Sequence, residues 1–405
     1  MGQNAKEADF LKAKDIFTRA VHAGERMPSP DFVPTVTPIY HATSFAYPEM
    51  ADLDAIFAGT REGYVYGRYG NPTVHAFEQA VAILEEGEAA LAFASGMSAI
   101  HTALLGLGLT AGTRAVVAQD VYGATFALFS TLLAQQGVST RFVDSTRLEQ
   151  VEAACAELSP RVLFVETISN PLLKVADIPK LAEIAHAHGA LLVVDNTFAT
   201  PYLCRPLTCG ADVVIHSATK YLGGHGDALG GVVVASAELI ASIYQTLKIT
   251  GANLGPQEAW LLLRGIKTLP LRMERHCANA LKVANGLLGV GSIVHIIYPG
   301  RPDHPQHNLA TRLFGGKGYG GMIAFELRNG CQERVFRFFE SLRLCLPATT
   351  LGDVYTLLLY PAHSSHRALT AEQRAALGIG EGLVRMSVGI EAPEDILADV
   401  RQALS

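Results

Sequence analysis

The sequence predicts an α/β protein: a mostly parallel sheet covered by helices on both faces, a smaller C-terminal α/β domain, and an extended N-terminal arm. Three observations predict it. Short apolar runs recur between residues 89 and 216, too brief for helices and without the alternation of a half-exposed strand. Stretches with helical periodicity separate them, and strand-helix alternation of this kind builds parallel sheets through crossover connections. Beyond about residue 270 the pattern changes to a long helix and isolated strand-like runs.

Taken in order, residues to about 70 carry scattered proline and aromatic residues, among them Pro34, Pro38, Tyr40, Phe45, Tyr47 and Pro48, with little sustained periodicity. They suit an arm packed on a neighbour, so residues 1–70 are assigned to it. The large domain spans 71–270. Its expected strands are Ala89–Ala94, Arg114–Ala118, Thr140–Asp144, Val162–Glu166, Leu191–Asp195 and Asp212–His216, and its clearest helix after the first strand covers Ala99–Leu107. The small domain, 271–405, opens with a long helix near Arg272. The runs Gly321–Leu327 and Leu383–Gly389 fit an antiparallel sheet there.

Composition excludes several classes. The 405 residues are 49% hydrophobic and 17% charged, enough to bury a large core. A net charge of −6 leaves no footprint for nucleic acid or an anionic membrane. No apolar run reaches the roughly 18 residues of a membrane span, and Met1–Arg19 lacks an apolar signal core. Lys6 stands where a myristoylation site following Gly2 would want a hydroxyl residue. The six cysteines show neither Cys-x-x-Cys nor zinc spacing, and His304 and His307 lie in a proline-rich loop, so no metal is expected. Gly106-x-Gly108 lacks the strand-turn-helix context of a dinucleotide fingerprint. Reduced thiols and these exclusions point to a cytoplasmic protein.

The chemistry concentrates at Lys220, in Ser217-Ala218-Thr219-Lys220-Tyr221-Leu222-Gly223-Gly224-His225, one short turn past an apolar strand. A lysine there can capture an aldehyde held above the sheet. The hydroxyls of Ser217 and Thr219 suit a phosphate, and the glycines permit close backbone approach, so the run describes a pocket for pyridoxal phosphate. About 25 residues upstream a buried strand ends in Asp195-Asn196-Thr197. A carboxylate at a strand's C-terminal end points into the ligand crevice of an open α/β sheet. Facing the pyridine nitrogen, Asp195 would favour the protonated ring, the better electron sink. A third strand runs into Ser95-Gly96-Met97-Ser98 and a helix start, whose N–H groups can cradle phosphate. Taken singly, the three motifs also read as a surface lysine, a turn aspartate and a serine N-cap; their occurrence in order gives them weight.

From about Thr18 to the C-terminus the chain resembles the Cys/Met-metabolism (trans-sulfuration) family of fold-type I pyridoxal-phosphate enzymes, and within it most closely the methionine and cystathionine γ-lyases. The resemblance is carried by Tyr66-Gly67-Arg68, Asn71-Pro72-Thr73, Ser95-Gly96-Met97, Tyr122-Gly123, Glu166-Thr167, Asn170-Pro171, Asp195-Asn196-Thr197, Ser217-Ala218-Thr219-Lys220, Arg264 to Leu269 and Leu383-Val384-Arg385. It implies that Lys220 binds the cofactor covalently and moves protons. Ser217, Thr219, Gly96 and Met97 would hold the phosphate, joined by Tyr66 and Arg68 from a neighbouring subunit. Tyr122 would stack on the ring and assist proton transfer. Arg385 would clamp the substrate carboxylate. Asn170 would bond the ring 3-oxygen or that carboxylate, and Thr350 would keep a hydroxyl at the cofactor or substrate. A site completed by a neighbour requires at least a dimer, and the resemblance favours a tetramer built from dimers with shared sites.

Three positions depart from the γ-lyase pattern. Ala124 follows Tyr122-Gly123 where methionine γ-lyases usually carry cysteine, Ile249 replaces an acid, and Tyr355 replaces a glutamate common among relatives. The expected activity is γ-elimination from methionine, homocysteine or cystathionine, a small amino-acid substrate in each case. The alternatives are γ-replacement, as in a cystathionine γ-synthase or an O-acyl-homoserine sulfhydrylase, and a non-catalytic binding protein that keeps the fold.

Overall fold

The computed structural model describes residues 11–24, 33–367 and 370–405, so Gly2, Lys6 and parts of the arm lie outside the described residues. Twelve strands are described: β1 (Ala89–Phe93), β2 (Arg114–Ala118), β3 (Ser139–Val143), β4 (Val162–Glu166), β5 (Leu191–Asp195), β6 (Val213–Ser217), β7 (Gly231–Ala235), β8 (Ile293–Ile297), β9 (Met322–Leu327), β10 (Leu346–Pro347), β11 (Leu357–Leu359) and β12 (Leu383–Ser387). The first seven form one mostly parallel sheet in the order β1-β7-β6-β5-β4-β2-β3. The last five form a second, smaller sheet in the order β10-β11-β12-β9-β8. The six strands expected in the large domain end within one residue of their predicted limits.

The element that the alternation does not single out is β7. Gly231–Ala235 follows β6 after a glycine-containing loop and pairs antiparallel with β1, Ala89 opposite Ala235 and Phe93 opposite Gly231. Within the parallel part β4 and β5 keep strict register: Val162 faces Leu191 and Glu166 faces Asp195. In the smaller sheet β9 lies between antiparallel partners, β12 and β8, as the two apolar runs predict.

The described residues cluster into two compact units. One comprises Met1–Leu107, Ile215–Gly223 and Asp227–Thr268; the other comprises Gly108–Val214, Gly224–Gly226 and Leu269–Ser405. In the first, the helix Pro72–Glu85 begins where Asn71 accepts the N–H of Thr73 at 2.9 Å and Pro72 occupies the first turn, which needs no N–H there. The Asn71 amide also donates to the Tyr40 carbonyl at 2.7 Å, and the Thr73 hydroxyl to that of Pro38 at 2.9 Å. Thus the Asn-Pro-Thr motif starts a helix and ties the preceding segment to it. The far end of the helix supplies Glu85, whose Oε1 meets Nε2 of His216 at 2.6 Å with both side chains fully buried. That pair fixes β6 one residue before Ser217.

In the second unit the core of the smaller sheet gathers Ile323, Phe325, Val384 and Met386 against Ala280 and Val283 of the helix Leu269–Gly286 and Ile396 and Val400 of the helix Pro393–Ala403. Full burial of a large apolar side chain contributes about 1.5–3 kcal/mol, so this cluster holds β12, and with it Arg385, on a rigid support. His276 of the long helix is wholly buried, its Nδ1–H donating to the Val388 carbonyl at 2.6 Å. Burial first, and the nearby Arg272 charge with it, push its pKa down to about 4. A depressed histidine contributes nothing unfavourable above its unfolded value and destabilises as pH falls between that value and the folded one, because the unfolded chain takes up the proton. Thermal unfolding of the holoprotein should therefore move to lower temperature between about pH 6.5 and 4. His276→Asn, which keeps a donor for Val388, should remove about 3 kcal/mol of that loss; an unchanged pH profile of Tm in the variant would contradict the assignment.

Candidate active site

In the first unit β6 ends in Ser217 and the turn that follows carries Thr219 and Lys220, all three half-buried. The Lys220 N–H donates to the Ser217 carbonyl at 3.1 Å, closing the turn predicted at the strand's end. Thr219 accepts the Gly230 N–H at 3.0 Å and donates to the Gly230 carbonyl at 3.2 Å, so its hydroxyl is anchored to the segment leading into β7.

Ser95 caps the helix Gly96–Gly106: its hydroxyl accepts the Ser98 N–H at 3.1 Å while the Ser98 hydroxyl accepts the Ser95 N–H at 3.0 Å. The expectation of a helix opening at this Ser-Gly-Met-Ser run holds. A Cβ on Gly96 would lie 2.8 Å from the Ser217 Cβ and 3.0 Å from its Oγ. Only glycine allows the helix start and the Ser217 hydroxyl to converge this closely. Backbone N–H groups with partial positive charge and a hydroxyl at one place make a cradle suited to a phosphate, and Lys220 stands three residues further on.

Tyr66 and Arg68 lie elsewhere in this unit. Tyr66 is 47% exposed. The Arg68 guanidinium sits 4.7 Å over the Tyr69 ring and 5.7 Å over that of Tyr66, and it donates to the Lys248 carbonyl. Arg68, with Tyr64, Tyr69, Tyr244 and Lys248, lines a cavity of about 1050 Å³. Ile249, one of the three departures from the γ-lyase pattern, is 85% exposed.

The second unit holds the other predicted residues. β4 and β5 end side by side in Glu166 and Asp195. Asp195 Oδ1 accepts the Thr197 N–H at 2.9 Å. Asn196, wholly buried, accepts the Thr167 hydroxyl at 2.8 Å and donates to the Cys204 carbonyl at 2.9 Å, which explains the residue after the aspartate. Tyr122 follows β2 and begins the short helix Gly123–Ala127, its side chain 41% exposed. A Cβ on Gly123 would meet the Ser365 carbonyl oxygen at 2.1 Å, so the Tyr-Gly pair places a tyrosine on a turn against which another loop packs by its backbone.

Arg385 of β12 is buried. Its Nη1 donates to Oδ1 of Asn170 at 3.0 Å and its Nη2 to the carbonyl of Thr350 at 3.1 Å. The structure therefore brings together the three residues to which the resemblance gives the substrate, although Thr350 meets the arginine through its backbone. Tyr355, another of those departures, is exposed.

Sequence reasoning gives Glu166 no role beyond a landmark. Its carboxylate accepts the Tyr122 N–H at 2.6 Å on one oxygen and the Asn170 N–H at 3.2 Å on the other. Burial first, then the charges of Asp195 and Asp120, push its pKa well above the usual carboxylate range, while the two N–H groups oppose that shift. A carboxylate ending a fully buried strand, the signal used for Asp195, also marks this position.

A helix start beside the Ser217 hydroxyl, with a lysine on the next turn, suits a phosphorylated aldehyde, and a buried arginine with amide and carbonyl partners suits a carboxylate, the ligands of an enzyme class that works on amino acids through an aldehyde cofactor. A family profile described as Cys/Met metabolism PLP-dependent enzyme matches residues 17–405. The chain is 46% identical to an L-methionine γ-lyase of Pseudomonas putida over 96% of each chain. It is also 46% identical to a cystathionine γ-lyase of Bacillus subtilis strain 168, over 91% of this chain and 93% of that one. Among solved structures, a Campylobacter jejuni protein provisionally described as an O-acetylhomoserine (thiol)-lyase superposes with a TM-score of 0.91 at 32% identity, covering 96% of this chain and all of that one. That structure carries N′-pyridoxyl-lysine-5′-monophosphate. The chain belongs to the Cys/Met-metabolism family of pyridoxal-phosphate-dependent enzymes. It is a carbon-sulfur lyase of the trans-sulfuration group, and pyridoxal phosphate is its cofactor.

Proposed function

We infer that the enzyme catalyses γ-elimination from a sulfur amino acid: methionine, homocysteine or cystathionine plus water gives a thiol, 2-oxobutyrate and ammonia. The observation that carries the reading is the buried Arg385, oriented by Asn170 and Thr350 and flanked by apolar strand residues. A cation in such a run suits a carboxylate ligand, and its planar fork binds one with two parallel bonds.

Bound pyridoxal phosphate supplies an electron sink for charge developing at the substrate's α and β carbons. Ser217, Thr219 and the helix start at Gly96-Met97 would hold its phosphate, Asp195 its ring nitrogen, and Lys220 its aldehyde carbon. Arg385 fixes the substrate carboxylate and thereby the direction of the α C–H bond. The Lys220 amine would remove the proton at the substrate's Cα and move protons at the neighbouring carbons. The Tyr122 phenol serves the γ sulfur, donating a proton as the thiol departs. Tyr66 and Arg68 act on the phosphate of a neighbouring copy, which makes the active form at least a dimer and, by kinship, a tetramer. The same reading places the enzyme in the cytoplasm, where its six unbridged cysteines would stay reduced.

γ-Replacement is the competing chemistry; the changes at Ala124, Ile249 and Tyr355 depart from the methionine γ-lyase pattern without naming a replacement. Purified enzyme incubated with methionine, homocysteine, cystathionine and O-acetylhomoserine, each with and without an added thiol, decides between the two. The expected result is 2-oxobutyrate from at least one sulfur amino acid without added thiol. Accumulation of a thioether with only traces of 2-oxobutyrate would establish replacement instead.

A further inference from the structure

Four residues assigned to substrate and proton handling sit on separate segments of the second unit: Tyr122 after β2, Asn170 after β4, Thr350 before β11, and Arg385 in β12. Asn170 and Thr350 meet at the arginine. Tyr122 and Asn170 meet at a residue with no assigned role, the buried Glu166, which accepts one backbone N–H from each. The hydrogen bonds thus run Tyr122, Glu166, Asn170, Arg385, Thr350 without a break.

We propose that Glu166 is a positioning residue for the reaction, a two-oxygen anchor that sets the Tyr122 turn and the Asn170 loop in register with each other and so orients Arg385 for the substrate carboxylate. This rests on the reading of Arg385 and Asn170 as the carboxylate site. A carboxyl group has an acceptor at each end, and both ends are used. An amide has an acceptor at one end only. In Glu166→Gln the amide oxygen retains the shorter bond to Tyr122, and the NH₂ group is turned against the Asn170 N–H. Two donors then face each other in a buried place, and the Asn170 loop moves away.

The test uses holoenzyme and glycine, which offers the amine and carboxylate of a substrate but no γ substituent, with binding followed by the change in cofactor absorbance. Glu166→Gln should weaken glycine about tenfold, as expected for one lost buried hydrogen bond, with cofactor content unchanged. In an Asn170→Ala background the same substitution should add less than about twofold, because both changes act on one loop. Glycine affinity within twofold of wild type, or a full tenfold effect persisting in the Asn170→Ala background, would overturn the proposal. Glu166→Asp, which keeps both carboxyl oxygens but shortens the arm by one methylene, carries the same two expectations if the glutamine variant fails to fold. Arg385→Ala serves as the reference: if it too leaves glycine binding unchanged, the carboxylate reading itself fails. If it weakens glycine while the Glu166 variants do not, only the present inference falls.

Discussion

Lys220→Ala should reduce turnover by at least about 10³-fold, the scale on which an enzyme loses its positioned proton-transfer group together with covalent attachment of its cofactor. The turn that follows β6 is closed by the bond from the Lys220 N–H to the Ser217 carbonyl, and the Ser217 side chain converges with the helix start at Gly96. A phosphate in that cradle would hold the aldehyde of the same small molecule near the turn that carries the lysine. Borohydride reduction of wild-type holoenzyme followed by peptide mapping should place a phosphopyridoxyl group at position 220, and the alanine variant should carry none. Added methylamine should restore part of the variant's activity, since a free amine can move the same protons. A label at another lysine, or a variant with ordinary turnover, would refute the assignment.

The second large effect concerns Arg385. Arg385→Lys should raise KM for the amino-acid substrate by about 100-fold while the charge is conserved. The guanidinium is held by two partners at 3.0 and 3.1 Å that fix its plane, and a planar fork so held presents parallel donors to a carboxylate. An ammonium is a point charge on a flexible stem and cannot keep both partners and the ligand at once. Loss of one or two charge-assisted bonds amounts to about 3 kcal/mol, which gives the stated factor. Steady-state kinetics would show it as a KM effect first. A fall in kcat with KM unchanged would mean that the arginine supports the fold of β12 and does not meet the substrate.

Much of this site is written locally in the chain. Lys220, Asp195 and Gly96 each follow a short apolar run, and the C-terminal end of such a run is where an open parallel sheet presents its ligand groups. The strand limits were legible for the same reason: a strand buried on both faces is an uninterrupted apolar word with polar punctuation. The antiparallel strand β7 was harder because its apolar run, Gly231–Ala235, gives no indication of direction, and direction depends on β1, more than 130 residues away. The contacts of Thr350 and Glu166 were hidden for another reason. A backbone carbonyl or N–H has no residue identity, so the bond from Arg385 to the Thr350 carbonyl and those from Tyr122 and Asn170 to Glu166 leave no mark in composition or spacing. The exposed Ile249 and Tyr355 could be named only as departures from the γ-lyase pattern, because an exposed side chain leaves no packing signal in a sequence.

The pairing of Glu85 with His216 has a consequence for biogenesis. It joins positions 131 residues apart, one at the end of an early helix and the other beside the phosphate cradle. During synthesis the helix emerges first and must wait for the later strand, and contacts of such long sequence separation form late. Competence to capture vitamin B6 therefore arrives only once more than half of the polypeptide has left the ribosome, and a nascent chain stalled before that point holds the glycine and serine of the helix start with no lysine to complete them.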